Sequence, residues 1–262
     1  DLISFLQSAS LTALMGVVLL FIGRGAEKQL GRRDGYVIVT VAWLAFSLFG
    51  MLPFYLSGYI PSITNAFFET MSGFSSTGAT ILNDIEKLPH GLLFWRSMTQ
   101  WIGGLGIVFF TIAVLPIFGV GGIQVFAAEA SGPTHDKVHP RIGITAKWIW
   151  GIYAGLTGTL IILLMFGGMN IFDSICHAFA TTSTGGFSTK QASIEYYHSP
   201  YIEYVISIFM FISGINFTLL LLFVNGKLKK FVHDAELKWY FWSVTGFTIV
   251  IAAILYYNSS MG

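Results

Sequence analysis

The chain has 262 residues, of which 54% are hydrophobic and only 10% are charged. Because soluble domains carry about 25% charged residues, this composition excludes an ordinary soluble enzyme or binding domain and indicates a protein that lies in lipid. The formal net charge of +1 gives no reason to expect a nucleic-acid partner. The single cysteine, Cys176, excludes a disulfide framework and a multi-cysteine metal site.

Six apolar stretches have the roughly 20 residues needed to cross a bilayer. In chain order they cover about residues 2–22, 36–58, 91–118, 142–167, 201–224 and 239–257. Two shorter apolar stretches, about 63–74 and 171–182, are each followed by a Ser, Thr and Gly cluster. Irregular polar backbone is tolerated at membrane depth only where it is buried in protein or lines a cavity. The sequence therefore predicts an all-α membrane protein built from helix, re-entrant pore loop, helix units. Because the chain begins inside an apolar stretch without an initiator Met, we expect it to be an excerpt of a longer protein.

The positive charges follow the same arrangement. If each short stretch returns to the side it left, ten of the fourteen Lys and Arg residues fall in the loops 23–35, 119–141 and 225–238. The positive-inside rule makes these loops cytoplasmic. If either short stretch crossed the membrane fully, the positive charges would no longer be concentrated on one side. A multi-pass plasma-membrane protein is therefore expected.

The two pore regions repeat each other in sequence. Gly78 aligns with Gly185 in the first shared motif, and Gly104 aligns with Gly214 in the second, with nearly the same separation in both pairs. Each repeat holds two full crossings, so both have the same orientation and are related by an axis along the membrane normal, an arrangement that suits a pore. The predicted N-caps of the pore helices are Asn65 and Asp173.

The loops after the pore helices have the composition of a cation filter. Rings of backbone carbonyls can replace the hydration shell of an ion, and glycine accepts the dihedrals that this requires. Gly78 and Gly185 are predicted to adopt these dihedrals, and Gly186 is predicted to give the second loop additional conformational freedom. The candidate ligands for the ion are Ser76, Thr77, Gly78, Ala79, Ser183, Thr184, Gly185 and Gly186. The negative C-terminal ends of the pore helices favour a cation, and the lack of a carboxylate ring argues against a divalent-cation channel. No cofactor is expected.

Four stretches resemble the Trk/Ktr/HKT superfamily of potassium transporters, and most of all its TrkH branch. They are residues 33–35, 68–80, 94–106 and 183–189. The resemblance runs across essentially the whole chain and implies gated, channel-like potassium transport in the bacterial inner membrane, without enzymatic activity. It implies four such repeats in one polypeptide, with pseudo-fourfold symmetry around one pore. One glycine per filter goes with potassium preference in this family, which Gly78 and Gly185 fit.

The resemblance also implies an organisation and partners for the chain. The segments are the end of an N-terminal helical pair with a cytoplasmic loop (1–35), a first pore repeat (36–118), a cytoplasmic linker (119–141), a second pore repeat (142–224) and the start of a third (225–262). A homodimer and a cytosolic nucleotide-binding subunit of the TrkA or KtrA type are implied. The basic loops 24–33 and 227–230 are candidate contacts, although topology and lipid headgroups explain them more simply.

Other residues have more ordinary expected roles. Glu69 is expected to form hydrogen bonds behind the filter or to face the outer vestibule rather than to touch an ion. Arg96 is expected to snorkel to the interface; the alternatives are that it repels cations or braces the pore helix through a hydrogen bond to a carbonyl. The histidines, including His177, are expected to be interfacial. Close helix approach is expected at Gly103, Gly104, Gly106 and Gly214.

Two other functions remain open from the sequence. A symporter would couple potassium to protons or sodium, but the spans lack a buried acidic relay, so passive gated conduction is preferred. An intramembrane serine protease would need Ser72 or Ser183 within hydrogen-bond reach of His177. That reading gives no reason for the repeat.

Overall fold

The computed structural model describes residues 2–25, 32–106 and 142–259. This part of the chain contains helices and no strands, which confirms the all-α prediction. The helices are α1 (Leu2–Ile22), α2 (Arg32–Gly50), α3 (Leu52–Leu56), α4 (Ile63–Phe74), α5 (His90–Gly104), α6 (Ile142–Phe166), α7 (Ile171–Thr182), α8 (Pro200–Ser213), α9 (Phe217–Val224), α10 (Leu228–His233) and α11 (Ala235–Ser259). The predicted linker 119–141 and part of the basic loop 24–33 lie outside the described residues.

Most of the predicted membrane spans are confirmed. Four helical segments within the described ranges are long and apolar enough to cross a membrane: Leu2–Gly25, Val37–Leu56, Lys147–Phe166 and Ala235–Tyr257. The predicted span 201–224 is divided into two helices, because α8 ends at Ser213 and α9 begins at Phe217; together they are apolar enough to form one broken span. The Asn216 side chain caps α9 by accepting a hydrogen bond from the Thr218 amide (2.9 Å). The predicted span 91–118 lies partly outside the described residues.

The two predicted pore helices are present with the expected bounds, α4 over 63–74 and α7 over 171–182. Twelve residues make a helix about 18 Å long, too short to cross about 30 Å of hydrocarbon. Their predicted N-caps are wrong. Ser62 and Asn170 are the caps, accepting hydrogen bonds from the amides of Asn65 (3.4 Å) and Asp173 (2.8 Å). Cap side chains bond to the amide two or three positions ahead, so Asn65 and Asp173 lie in the first helical turn.

The chain divides into two compact units, residues 1–210 and 211–262. In the first unit α5 packs against both α4 and α7, so it lies between the two pore helices. Helix α2 also packs against α4, and α6 packs against α7. Apolar clusters hold the two pore helices, one including Leu92 of α5 and the other Leu160 of α6. The position of α5 brings its side chains next to the loops that follow both pore helices.

Glycines allow the close packing of α5. A Cβ at Gly103 would collide with the Phe74 carbonyl at the end of α4, and a Cβ at Gly104 would lie 2.6 Å from the Ser183 Cβ. The predicted close approach is confirmed at these two positions. It is also confirmed in the second unit, where a Cβ at Gly214 would collide with the Tyr240 hydroxyl. For Gly106 it stays a prediction.

Candidate functional site

Each pore helix ends in a loop with an unusual backbone. In the first loop, residues 75–81, Ser76 and Gly78 have φ of 52° and 75°. In the second loop, residues 183–189, Thr184 and Gly186 have φ of 54° and 82°. Left-handed residues therefore alternate with residues of negative φ at the start of both loops. Non-glycine residues rarely adopt positive φ, so both loops hold a specific conformation.

The hydrogen bonds fix how the two loops correspond. The Thr77 amide donates to the Ser72 carbonyl (3.0 Å), and the Gly185 amide donates to the Ala180 carbonyl (2.8 Å). Aligning the shared letters Ser-Thr-Gly pairs residue 78 with residue 185. The N-caps, the helix ends, the amide hydrogen bonds and the positive φ angles instead all match when residue 78 is paired with residue 186. Gly78 therefore corresponds to Gly186. The prediction that Gly185 takes the positive φ is wrong, and Gly186 has that conformation.

The two loops lie side by side. A Cβ at Gly78 would collide with the Gly185 carbonyl oxygen and lie 3.1 Å from its carbonyl carbon. A Cβ at Gly185 would lie 2.7 Å from Oε1 of Gln100, on α5. Gly78 thus faces backbone that cannot move aside, whereas a side chain at Gly185 would displace the Gln100 amide. The eight residues selected from the sequence belong to two loops in contact, with Gln100 behind them.

A buried ion pair lies behind the first loop. Glu69 of α4 and Arg96 of α5 are each 1% exposed, and Arg96 Nε donates to Glu69 Oε1 at 2.7 Å. Glu69 also accepts hydrogen bonds from the Thr80 hydroxyl (2.8 Å) and the Ile81 amide (3.0 Å) in the first loop. The predicted role of Glu69 behind the loop is confirmed. Snorkelling of Arg96 is wrong, because the side chain is buried. Its Nη1 does donate to a carbonyl, but that carbonyl belongs to Ser188 of the second loop (3.0 Å) rather than to a pore helix.

The second loop is held by its own pore helix. Nδ1 of His177 lies 2.8 Å from the Asp173 carbonyl oxygen and therefore donates to it, while Nε2 lies 3.0 Å from the Ser188 hydroxyl. The Thr189 hydroxyl donates to Asp173 Oδ1 at 2.6 Å. His177 is 2% exposed, so its expected interfacial position is wrong. It is a buried structural side chain.

The contacts argue against a protease site. Both nitrogens of His177 have partners other than Ser72 or Ser183. Ser183 instead donates to the Ala180 carbonyl at 3.1 Å. Within the described ranges no group of three His, Cys, Asp or Glu side chains is placed to hold a metal ion. The polar atoms that the loops offer are backbone carbonyls and hydroxyls, which suit a weakly held monovalent cation.

Gln100 is the site residue that the sequence did not reveal. It is fully buried, and its Oε1 accepts a hydrogen bond from the Phe187 amide of the second loop at 3.1 Å. Its Nε2 has no hydrogen-bond partner in the described part of the chain. The one sequence feature that could have identified Gln100 is its position four residues after Arg96, which places both polar residues on the same helix face.

Comparison with known proteins identifies relatives along most of the chain. Residues 3–256 match the TrkH family, described as a cation transport protein. The chain is 40% identical over 259 residues to the Trk system potassium uptake protein TrkH of Escherichia coli (strain K12), covering 98% of this chain and 54% of that protein. It is 36% identical over 225 residues to TrkG of the same strain, covering 85% and 46%. The chain spans about half the length of these curated relatives.

A solved structure has the same fold. The crystal structure of the potassium transporter TrkH from Vibrio parahaemolyticus matches with a TM-score of 0.74 and 35% sequence identity. The match covers 90% of this chain and 48% of that one. The likeness therefore extends over most of the chain rather than over a single hairpin.

Proposed function

Because the chain belongs to the TrkH family of cation transport proteins, we propose that it supplies two of the loops that line the selectivity filter of a potassium transporter. The observation that carries this proposal is the contact between the two loops at Gly78 and Gly185, each loop with alternating left-handed residues. In an extended strand successive carbonyls point to opposite sides. This alternation turns them toward one side, where several can bind one ion.

The pore helices support a cation rather than an anion. Helix α4 ends at Phe74 and α7 at Thr182, directly before the loops. The C-terminus of a helix carries roughly half a negative charge, and neither loop contains an acidic residue between the helix end and residues 81 or 189. This field attracts a monovalent cation without binding it too tightly to leave.

The length of the relatives supports a larger assembly. This chain covers 54% of the TrkH of Escherichia coli, so we propose that two further loops complete a pseudo-fourfold filter in the full-length transporter. A homodimer and a nucleotide-binding cytosolic subunit of the TrkA or KtrA type belong to the same proposal. The exposed lysines Lys227, Lys229 and Lys230 are assigned to the cytoplasmic lipid headgroups.

Potassium flux tests the proposal. The full-length transporter, reconstituted in liposomes, is expected to carry K⁺ down its own gradient, in preference to Na⁺, with no proton or sodium gradient present. Absence of K⁺ flux would contradict the proposal. Flux that appears only with a proton or sodium gradient would instead support the symporter.

A further inference from the structure

The second helix of the first repeat reaches across to the loop of the second repeat. Two polar side chains of α5 make this contact: Arg96 donates to the Ser188 carbonyl (3.0 Å), and Gln100 accepts from the Phe187 amide (3.1 Å). Arg96 also lies over the Phe187 ring, with 3.6 Å between its Cζ and the ring centroid. The first repeat therefore determines where the backbone of the second loop lies.

The same guanidinium is tied to the first loop. Arg96 donates to Glu69 (2.7 Å), which binds the Thr80 hydroxyl and the Ile81 amide. Thr80 and Ser188 correspond in the alignment that pairs Gly78 with Gly186. One chain of contacts thus joins the same point in both loops, from Thr80 through Glu69 and Arg96 to Ser188.

The burial of these groups makes the link rigid. Glu69, Arg96 and Gln100 are each 1% exposed or less, so water cannot replace the bonds they make. Losing one partner leaves a buried polar group unsatisfied or a buried charge unpaired. Arginine suits this position because its planar fork donates in several directions at once, whereas a lysine is a single point charge.

The second helix of the second repeat lacks the residues that make this link. In the alignment of the second helices that pairs Gly104 with Gly214, Arg96 corresponds to Ile206 and Gln100 to Met210. Neither residue can form an ion pair or accept a hydrogen bond comparable to that of the amide. Of these two second helices, α5 therefore alone carries the brace, as we call Arg96 and Gln100 with their contacts to the second loop.

The geometry points to Arg96 and Gln100 as positioning residues that fix the spacing between the two loops and thereby determine cation selectivity. This inference rests on the proposed filter function. Discrimination between K⁺ and Na⁺ requires carbonyls held at a set spacing or field strength. When the brace is lost, the second loop relaxes around the smaller ion, and the preference for K⁺ falls.

The test compares Gln100→Met with Gln191→Met in the full-length transporter. Both lose a glutamine whose Oε1 accepts a hydrogen bond from a backbone amide of the other repeat: Gln100 accepts from Phe187, and Gln191 accepts from Ile85 at 3.1 Å. Gln191 is exposed, so water can replace its bond, whereas Gln100 is buried. We expect Gln100→Met to lower the ratio of K⁺ to Na⁺ flux about fivefold to tenfold, and Gln191→Met to leave it unchanged. Arg96→Lys, which keeps the charge beside Glu69, is expected to lower the ratio as well.

A second measurement separates failure of the inference from failure of the proposed function. Hydrogen exchange of residues 184–190 is expected to be faster in Gln100→Met and unchanged in Gln191→Met. A merely structural role would reduce K⁺ and Na⁺ flux in the same proportion, and that result, or equal effects of the two substitutions, would overturn the inference. If the unaltered transporter carries no K⁺, the proposed function fails. Whatever the flux result, unchanged hydrogen exchange at Phe187 in Gln100→Met would show that Gln100 does not hold the second loop, and would overturn the inference independently.

Discussion

Replacing Gly103 by alanine tests how closely α5 must approach the first pore helix. The added Cβ would lie 2.6 Å from the Phe74 carbonyl carbon and 2.8 Å from its Cα, whereas carbon atoms in contact are about 3.5–4.0 Å apart. Helix α5 must therefore retreat by about 1 Å, because backbone atoms cannot rotate out of the way as a side chain can. Overpacking typically costs about 1–3 kcal/mol, and we expect a value near the upper end, about 3 kcal/mol.

Thermal unfolding of the purified full-length transporter in detergent measures this cost. For a protein about twice the length of this chain, as the relatives are, each kcal/mol shifts the midpoint by roughly 1–2 °C, so a fall of about 3–6 °C is expected. Gly155→Ala is the matched control, since nothing lies within 4 Å of a Cβ added there. Alanine favours a helix over glycine by about 1 kcal/mol, so the control midpoint is expected to hold or rise. Equal midpoints for the two variants would refute the argument.

Two further substitutions have matched controls. Gly78→Ser is expected to weaken discrimination against Na⁺ in a competition flux assay, because its Cβ collides with the second loop. The control is Gly58→Ser, which has a similar φ of 78° and open space around it and is expected to leave discrimination unchanged. Equal ratios of K⁺ to Na⁺ flux in the two variants would count against a filter role. Tyr153→Phe removes the hydroxyl that donates to the Trp101 carbonyl (2.9 Å). It is expected to lower the unfolding midpoint of the full-length transporter by about 1–2 °C, whereas the exposed Tyr204→Phe has no effect. No difference between them would argue that the bond contributes nothing.

Features that depend on local sequence were predictable here. The pore helices over 63–74 and 171–182 were recognised because each is too short to span and precedes a polar cluster. The caps were misplaced because Asn65 and Asp173 are good cap residues themselves, and only the backbone shows that Ser62 and Asn170 hold the position. Local pattern gives the element reliably and its boundary less so.

The correspondence of the loops could not be obtained from the letters. Both loops contain Ser-Thr-Gly, and aligning those letters pairs Gly78 with Gly185. The backbone conformation matches Gly78 with Gly186 instead, since φ is positive at 78 and 186. Identical residues take different conformations in the two loops because the hydrogen bonds to the preceding helix, not the side chains, set the turn.

The contacts of Arg96 and Gln100 with the second loop could not be predicted from local sequence either. Arg96 lies 27 residues from Glu69 and 92 from Ser188, and Gln100 lies 87 from Phe187. Contacts at such separations depend on the packing of α5 between two pore helices. An arginine near the end of a span is ordinarily explained by snorkelling, and burial at 1% exposure reversed that interpretation.

Glu69 and His177 occupy corresponding positions of the two pore helices, counted from the caps Ser62 and Asn170. They hold Thr80 and Ser188, respectively, in the loops that follow. A carboxylate has about four acceptor sites, and Glu69 uses others for Arg96 and a backbone amide. An imidazole has two nitrogens, and Nδ1 of His177 already donates to a carbonyl of its own helix. Both residues hold a hydroxyl of the following loop, but if that hydroxyl is removed, Nε2 of His177 has no other hydrogen-bond partner, whereas the Glu69 carboxylate keeps two.

We therefore expect Ser188→Ala to destabilise the transporter more than Thr80→Val. Removing the Ser188 hydroxyl leaves Nε2 of the buried His177 without its partner, which costs about 1–3 kcal/mol. Removing the Thr80 hydroxyl leaves Glu69 with its bonds to Arg96 and the Ile81 amide, so the cost lies at the low end of the range for a bond to a charged group, about 1.5 kcal/mol. Unfolding midpoints in detergent measure both, and a larger loss in Thr80→Val would show that the carboxylate, not the imidazole, depends on its hydroxyl partner.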